Sequence, residues 1–403
     1  RVFVGEGRID PPAVPAAAPR PADPEWFPLV LAAPGPDAVV ADVRVFREAA
    51  EPARFTVTVP PARLLAVDLL QRPEVPRGEA FWVVVEASRP VFAQLVHARP
   101  GTRDGVIETL ETVAPRPGPL DDGDRAWLYP DGFEGGTADW EERETLTILN
   151  PTARTGLARL RFRFRQERAP LETRLAVPAG RVTAVRLWTL FGGDTSASPP
   201  VGGDYAILLD TDVPVVSQQT RRASRRGDPE VLGSRPMTPI RRADAEVART
   251  WYYAGGWTRD QHARPGDTVP YGWQLLFTHP LDGSARSLSV RLHTGVGPVG
   301  TSTLPLPIGR SDLEWLHEPP WRSQLPVEQP WALAVTSERP VAPSVTVAEY
   351  EPMSLGLPGA MAASALQPDP LTNAWWLGVA RHGPAAAPDA RWEAAWQLFN
   401  PSS

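Results

Sequence analysis

Residues 210–226 read DTDVPVVSQQTRRASRR, a stretch whose side chains could do binding chemistry. Gln218, Thr220 and Arg221 together offer donors and acceptors suited to a sugar hydroxyl or a carboxylate, the arginine through its planar fork. The alternation of side chains along a strand puts Val216, Gln218 and Thr220 on one face and Ser217, Gln219 and Arg221 on the other. Three readings stay open at this point. The segment is a ligand site, a contact with another repeat or chain, or a strand end whose Arg221, Arg222, Arg225 and Arg226 are solvated. A nucleic-acid surface is not expected, because it wants a continuous basic groove with aromatic stacking platforms. The net charge of −6 also gives no global attraction to polyanions.

Tryptophan is the usual grip on a sugar ring, and the chain has 15 of them. Trp127, Trp251 and Trp375 recur at one repeat position, as core packing residues do. Trp257, beside Gly255-Gly256, and Trp321, after Pro319-Pro320, do not recur and sit in turn-like contexts. They are the candidate exposed platforms. Catalytic patterns are weak throughout. The six histidines are scattered without short ligand spacing, so no zinc site is expected. GVGPVG at 295–300 leads into a proline-broken strand and not into a helix that could hold a phosphate. No serine stands in a G-x-S-x-G elbow. Glu141-Glu142 and Asp121-Asp122 read as solvated loop charge, and DDGD at 121–124 lacks the full spacing of a calcium loop. No catalytic residue, cofactor or metal is therefore expected.

The elements that must position these residues show as internal repetition. RVFVGEG, RAWLYPDG, RTWYYAGG and NAWWLGVA begin at residues 1, 125, 249 and 373. Aliphatic strands then end at Pro34, Pro151, Pro280 and Pro401. A strand of period two follows; in LARLRFRFR, Leu160, Phe162 and Phe164 face one way and Arg159, Arg161, Arg163 and Arg165 the other. The turns VPPAR, VPAGR and LPIGR come next. Last, an aromatic (Phe81, Tyr205, Trp331) stands nine residues before a proline (Pro90, Pro214, Pro340).

With 48 prolines in 403 residues, more than twice the usual ~5%, short strands and turns are favoured over helices. The expected fold class is all-β, a tandem array of antiparallel β-sandwich domains with three complete repeats and the start of a fourth. The expected boundaries are repeat 1 at 1–100, a linker at 101–124, repeat 2 at 125–226, a linker at 227–248, repeat 3 at 249–349, a linker at 350–372 and a partial repeat 4 at 373–403. Two strands cannot bury a core, so the partial repeat is expected to be either cut from a longer array, the favoured reading, or lent to a neighbour. Every basic residue is arginine, and cysteine is absent, which excludes disulfides and thiolate metal sites. No apolar stretch reaches the length of a membrane span.

In repeat 2, ETLTILNP, RLAVPAGR and DVPVVSQQTRRASR stand in an order and spacing that resemble the β-sandwich family typified by the Anabaena sensory rhodopsin transducer. GEGRIDPP in repeat 1 is similar to that family's opening Glu-Gly turn, at Glu6-Gly7. The aromatic openings of repeats 2 and 3 also resemble tandem repeats of secreted, surface-associated actinobacterial proteins. The resemblance implies a non-catalytic sandwich that binds small molecules such as sugars and acts in sensing or attachment. Glu144, Gln218, Thr220 and Arg221 are then the candidate ligand set of repeat 2. Repeat 1 keeps Gln94 but has Leu95-Val96-His97, and repeat 3 has Ser344 followed by Val345-Thr346-Val347, so both are expected to be degenerate spacers. The expected function is a non-enzymatic extracellular or cell-surface stalk, adhesive or fibre-like element, partnered by neighbouring copies or other repeats. The alternative is a receptor for a carbohydrate or carboxylate.

Overall fold

The computed structural model describes residues 1–9, 27–100, 107–112, 116–136, 140–165, 169–191, 203–225, 231–237, 239–257, 272–281, 286–306, 312–316, 321, 324–326, 329–350, 358–365, 367–368, 383–384 and 391–392. The fold is all-β, with antiparallel ladders throughout. The first unit runs β1 (Val2–Arg8), β2 (Pro28–Ala32), β3 (Val39–Arg47), β4 (Ala53–Val59), β5 (Leu64–Asp68), β6 (Ala80–Ala87), β7 (Phe92–Pro100), β8 (Ile107–Thr112) and β9 (Arg116–Pro117). The second runs β10 (Ala126–Gly136), β11 (Trp140–Asn150), β12 (Gly156–Phe164), β13 (Leu171–Val177), β14 (Arg181–Arg186), β15 (Gly203–Thr211), β16 (Val216–Arg225), β17 (Val231–Met237) and β18 (Ile240–Arg241). The third runs β19 (Thr250–Trp257), β20 (Gly272–Pro280), β21 (Arg286–Thr294), β22 (Gly297–Leu306), β23 (Asp312–Trp315), β24 (Pro330–Ser337), β25 (Val341–Tyr350), β26 (Pro358–Ala365) and β27 (Gln367–Pro368).

Each unit stacks two sheets of the same strand order. They are β4-β3-β6-β1-β9 over β5-β2-β7-β8, then β13-β12-β15-β10-β18 over β14-β11-β16-β17, then β22-β21-β24-β19-β27 over β23-β20-β25-β26. In the second unit β10 also pairs with β11, at Gly135 with Glu142 and Gly136 with Glu141, which joins its two layers along one seam. The period-two reading of β12 holds. Leu160, Phe162 and Phe164 are buried, while outward Arg159 and Arg161 pair with Glu172 and Asp210. Each buried Leu or Phe of this kind contributes about 1.5–3 kcal/mol. The VPAGR turn places Gly180 at φ 63°, and Ala62 takes φ 51° in the matching VPPAR turn.

The proline-rich segments expected as linkers carry the closing strands instead. β8 pairs with β7, and β9 with β1, Val2 standing opposite Pro117. Likewise β17 and β18 lie within 227–248, and β26 and β27 within 350–372. Pro117 and Pro368 sit in outermost strands, where a missing N–H costs no ladder bond. That is why a linker-like composition folds here. The DDGD stretch is a capped 3-10 turn: Asp121 accepts from the Gly123 amide, and Asp124 accepts from the Asp121 amide and from Arg116 Nε at 2.8 Å. The partial repeat at 373–403 lies outside the described residues, apart from the short pair β28 (Gly383–Pro384) and β29 (Arg391–Trp392).

Successive units stack face to face. Phe3, Phe46, Trp82 and Val84, on the outer face of the first unit's larger sheet, pack against Leu149, Val182 and Val216 of the second. Leu128, Leu208 and Ile240 of the second unit join the apolar cluster that contains Val341, Ala342 and Val345 of the third. Strand β17 packs against both β8 and β26 along one side. Among the described residues no helix is long and apolar enough to cross a membrane.

Candidate functional site

In the second unit the chain folds an ionic cluster into its interior, at the seam between β10 and β11. Period two places Glu142, Glu144, Leu146 and Ile148 of β11 on one face, and Glu144 stands directly opposite Arg221 of β16. Glu144 is fully buried and its two oxygens are saturated. They accept from Tyr205 Oη at 2.5 Å, from Arg221 Nε at 2.6 Å, from the Phe133 amide at 3.0 Å and from Gln219 Nε2. Arg221 Nη2 donates to Asp131 Oδ1 at 2.8 Å, and Nη1 lies 3.5 Å from Glu142 Oε2. The guanidinium also lies over the Phe133 ring, 5.5 Å from its centroid. One arginine thus serves three carboxylates that hold little contact with water.

Glu134 completes the cluster. Its Oε1 accepts from the Glu144 amide at 2.9 Å, and its Oε2 is buried with no donor to support a charge. Burial first, and then the neighbouring Glu144 charge, push its carboxyl up to about 9. Burial also pushes Glu142 and Glu144 up to about 7, against the pull of Arg221. The carboxylates in turn hold Arg221 in its charged form. With four donors on its oxygens, Glu144 is the ionised partner of the arginine, and Glu134 is the protonated member.

The backbone must come close for this to form. β10 slips register between Tyr129 and Gly132, which brings Asp131 to Arg221. A Cβ on Gly132 would lie 2.2 Å from the Tyr205 ring and 2.8 Å from its carbonyl oxygen. Gly132→Ala is therefore expected to lower stability by about 1–3 kcal/mol and to move the Tyr205 hydroxyl off Glu144, seen as a lower urea midpoint with an unchanged slope.

The expected ligand set divides between two faces. Arg221 and Glu144 meet inside the sandwich, whereas Gln218 and Thr220 point outward to the first unit. Gln218 Oε1 accepts from the Glu6 amide at 3.2 Å, and Thr220 Oγ1 donates to the Glu6 carboxylate. All four residues are buried. Trp321, expected as an exposed platform, is fully buried in the third unit's core; its indole N–H donates to Glu314 at 2.7 Å. The proline pair before it was read as a surface turn, but the apolar ring is drawn into the cluster with Leu316 and Leu325. Trp257 ends β19 opposite Pro330, and its side chain lies outside the described residues. Asp131, Glu134, Glu142 and Tyr205 are members of the cluster that were not singled out as such. For Glu142 the signal was present: it is two residues before Glu144, on the core face of the same strand. Among the described residues no group of His, Cys, Asp or Glu is placed to hold a metal ion.

The neighbouring units carry other residues at the same positions. In the first unit Phe27 and His97 stack with centroids 4.0 Å apart, two positions beyond the Leu29–Leu95 pair, and Phe81 takes the place of Tyr205. In the third unit Gln274 stands opposite Val347, with Trp331 where Tyr205 is.

Residues 122–235, which hold the whole ionic cluster, match the family model described as Anabaena sensory rhodopsin transducer. Among solved structures, Thermotoga maritima 1070 is similar at 22% identity, covering 30% of this chain and 96% of that one, with a TM-score of 0.23. The Anabaena sensory rhodopsin transducer is similar at 14% identity, covering 24% of this chain and 90% of its own, with a TM-score of 0.21. The comparison with curated proteins gave no match. The family match thus makes the segment 122–235, and with it the second unit, similar to the Anabaena sensory rhodopsin transducer family.

Proposed function

We propose that this protein is a non-enzymatic scaffold of stacked β-sandwiches, acting at the cell surface as a stalk, adhesive or fibre-like element. The observation that carries the reading is the fate of the polar end of β16. Gln218 and Thr220 bond the preceding unit, and Arg221 is held by Glu144, Asp131 and Glu142. A receptor site needs a few polar groups converging on a concavity that a ligand can enter. Here Gln218 and Thr220 meet Glu6 while Arg221 meets Glu144, and Glu144 accepts four hydrogen bonds from the chain itself. The cell-surface setting rests on the resemblance of the aromatic openings to tandem surface repeats.

The test is a screen of mono- and disaccharides and small carboxylic acids against the full chain, by thermal shift and then calorimetry, with Gln218→Ala beside it. The expected result is no saturable binding by either protein. Saturable binding that disappears in a folded Gln218→Ala variant would replace the scaffold with a carbohydrate or carboxylate receptor.

A further inference from the structure

One polar contact at each of the two unit boundaries uses equivalent positions. In each unit one glycine of the opening strand faces the aromatic of the long central strand: Gly7 opposite Phe81, Gly132 opposite Tyr205, Gly256 opposite Trp331. The residue before that glycine is Glu6, Asp131 and Gly255 in turn. Six residues after each proline landmark stand Val96, Thr220 and Thr346. Thr220 Oγ1 donates to the Glu6 carboxylate, and Thr346 Oγ1 donates to Asp131 Oδ2. A carboxylate from one unit therefore meets a threonine hydroxyl of the next at both boundaries. Thr220, Thr346 and Asp131 are buried, and Glu6 is half-buried.

The apolar faces around these bonds supply adhesion but little choice, since any flat aliphatic patch would accept them. A buried carboxylate does choose, because opposite an apolar residue it loses the hydrogen bond that offsets its desolvation. The first unit has Val96 at the receiving position and Glu6 at the presenting one. The third has Thr346 to receive and Gly255 where a carboxylate would be presented. Only the middle unit has both groups. We infer that the opening-strand carboxylate and the threonine form a directional recognition pair between sister sandwiches, and that this pair sets which unit seats on which. The partner it fits is another sandwich of this fold carrying Asp or Glu before the opening-strand glycine. The inference rests on the scaffold reading.

Hydrogen exchange of the full chain, read separately at the two boundaries, tests it. Thr220→Val is expected to speed exchange in β1 and β16 by about ten-fold or more, the worth of a hydrogen bond to a charged group, and to leave β25 unchanged. Thr346→Val should do the reverse. Thr220→Ser should behave as wild type, and Glu6→Val with Thr220→Val, which removes both polar groups, should return to within about three-fold of it. Equal effects of Thr220→Ser and Thr220→Val, or exchange that rises alike at both boundaries, would overturn the pair. A ligand found in the saccharide screen would sink the scaffold reading while leaving these boundary rates as they are, so the two failures are distinguishable.

Discussion

Arg221→Leu is expected to lower the stability of the second unit by about 3–5 kcal/mol, because it leaves buried carboxylates without their cation. For a unit of roughly 100 residues each kcal/mol shifts the melting temperature by about 4–8 °C, so calorimetry should show one transition moving down by more than about 10 °C. Charge alone is not the reason. Nε, Nη1 and Nη2 reach three different carboxyl groups, on β11 and on the bulge of β10, a span that the single ammonium of Arg221→Lys cannot reproduce. Arg221→Lys should thus melt between wild type and Arg221→Leu. Arg221→Leu combined with Glu144→Leu should melt above Arg221→Leu alone, since it removes a stranded charge with the cation. A melting temperature for Arg221→Leu within about 2 °C of wild type would show that the cluster is not what holds the two sheets at this seam.

Raising the pH from 5 to 9 is expected to weaken the same unit, with Glu134 as the main cause. Its folded-state value of about 9 lies above the 4.5 of an ordinary glutamate. Between those values the native state binds more protons than the unfolded chain. The associated stability is therefore complete below about 4.5, declines as pH rises and is fully lost above about 9, with a slope of at most about 1.4 kcal/mol per pH unit. Glu134→Gln keeps an acceptor for the Glu144 amide and removes the titration, so urea midpoints of this variant should vary less over that range. An unchanged pH slope in Glu134→Gln would mean that Glu134 is not the proton carrier.

Much of this architecture was legible in the sequence because periodicity reports on burial. The alternation in β12 fixed which side chains face the core, and the aromatic–proline spacing marked the central strand of each unit. The closing strands were missed at Arg116-Pro117 and Gln367-Pro368, where composition resembled a linker and only the pairing with β1 and β19 made them strands. For the site, the alternation along β16 correctly put Gln218 and Thr220 on the face opposite Arg221. What alternation could not say is what each face meets. Glu6 lies 212 positions from Gln218, and Asp131 reaches Arg221 only through a register slip in β10. Trp321 was misplaced because flanking prolines say where a chain turns, not which way a ring then points.

The two fillings of one buried position, Glu144 with Arg221 and Tyr205 in the second unit and Phe27 with His97 and Phe81 in the first, cannot be exchanged one residue at a time. Changing Arg221 first strands Glu144, and changing Glu144 first strands Arg221. Either intermediate forfeits several kcal/mol out of the roughly 5–15 that a domain has. Divergence between such sandwiches is therefore expected to be abrupt at these three positions and gradual elsewhere. A survey of related chains should find the ionic set either whole or wholly replaced, as by Phe27, His97 and Phe81 in the first unit or Gln274, Val347 and Trp331 in the third, with partial ionic sets rare, and that division would sort units even where overall identity has faded.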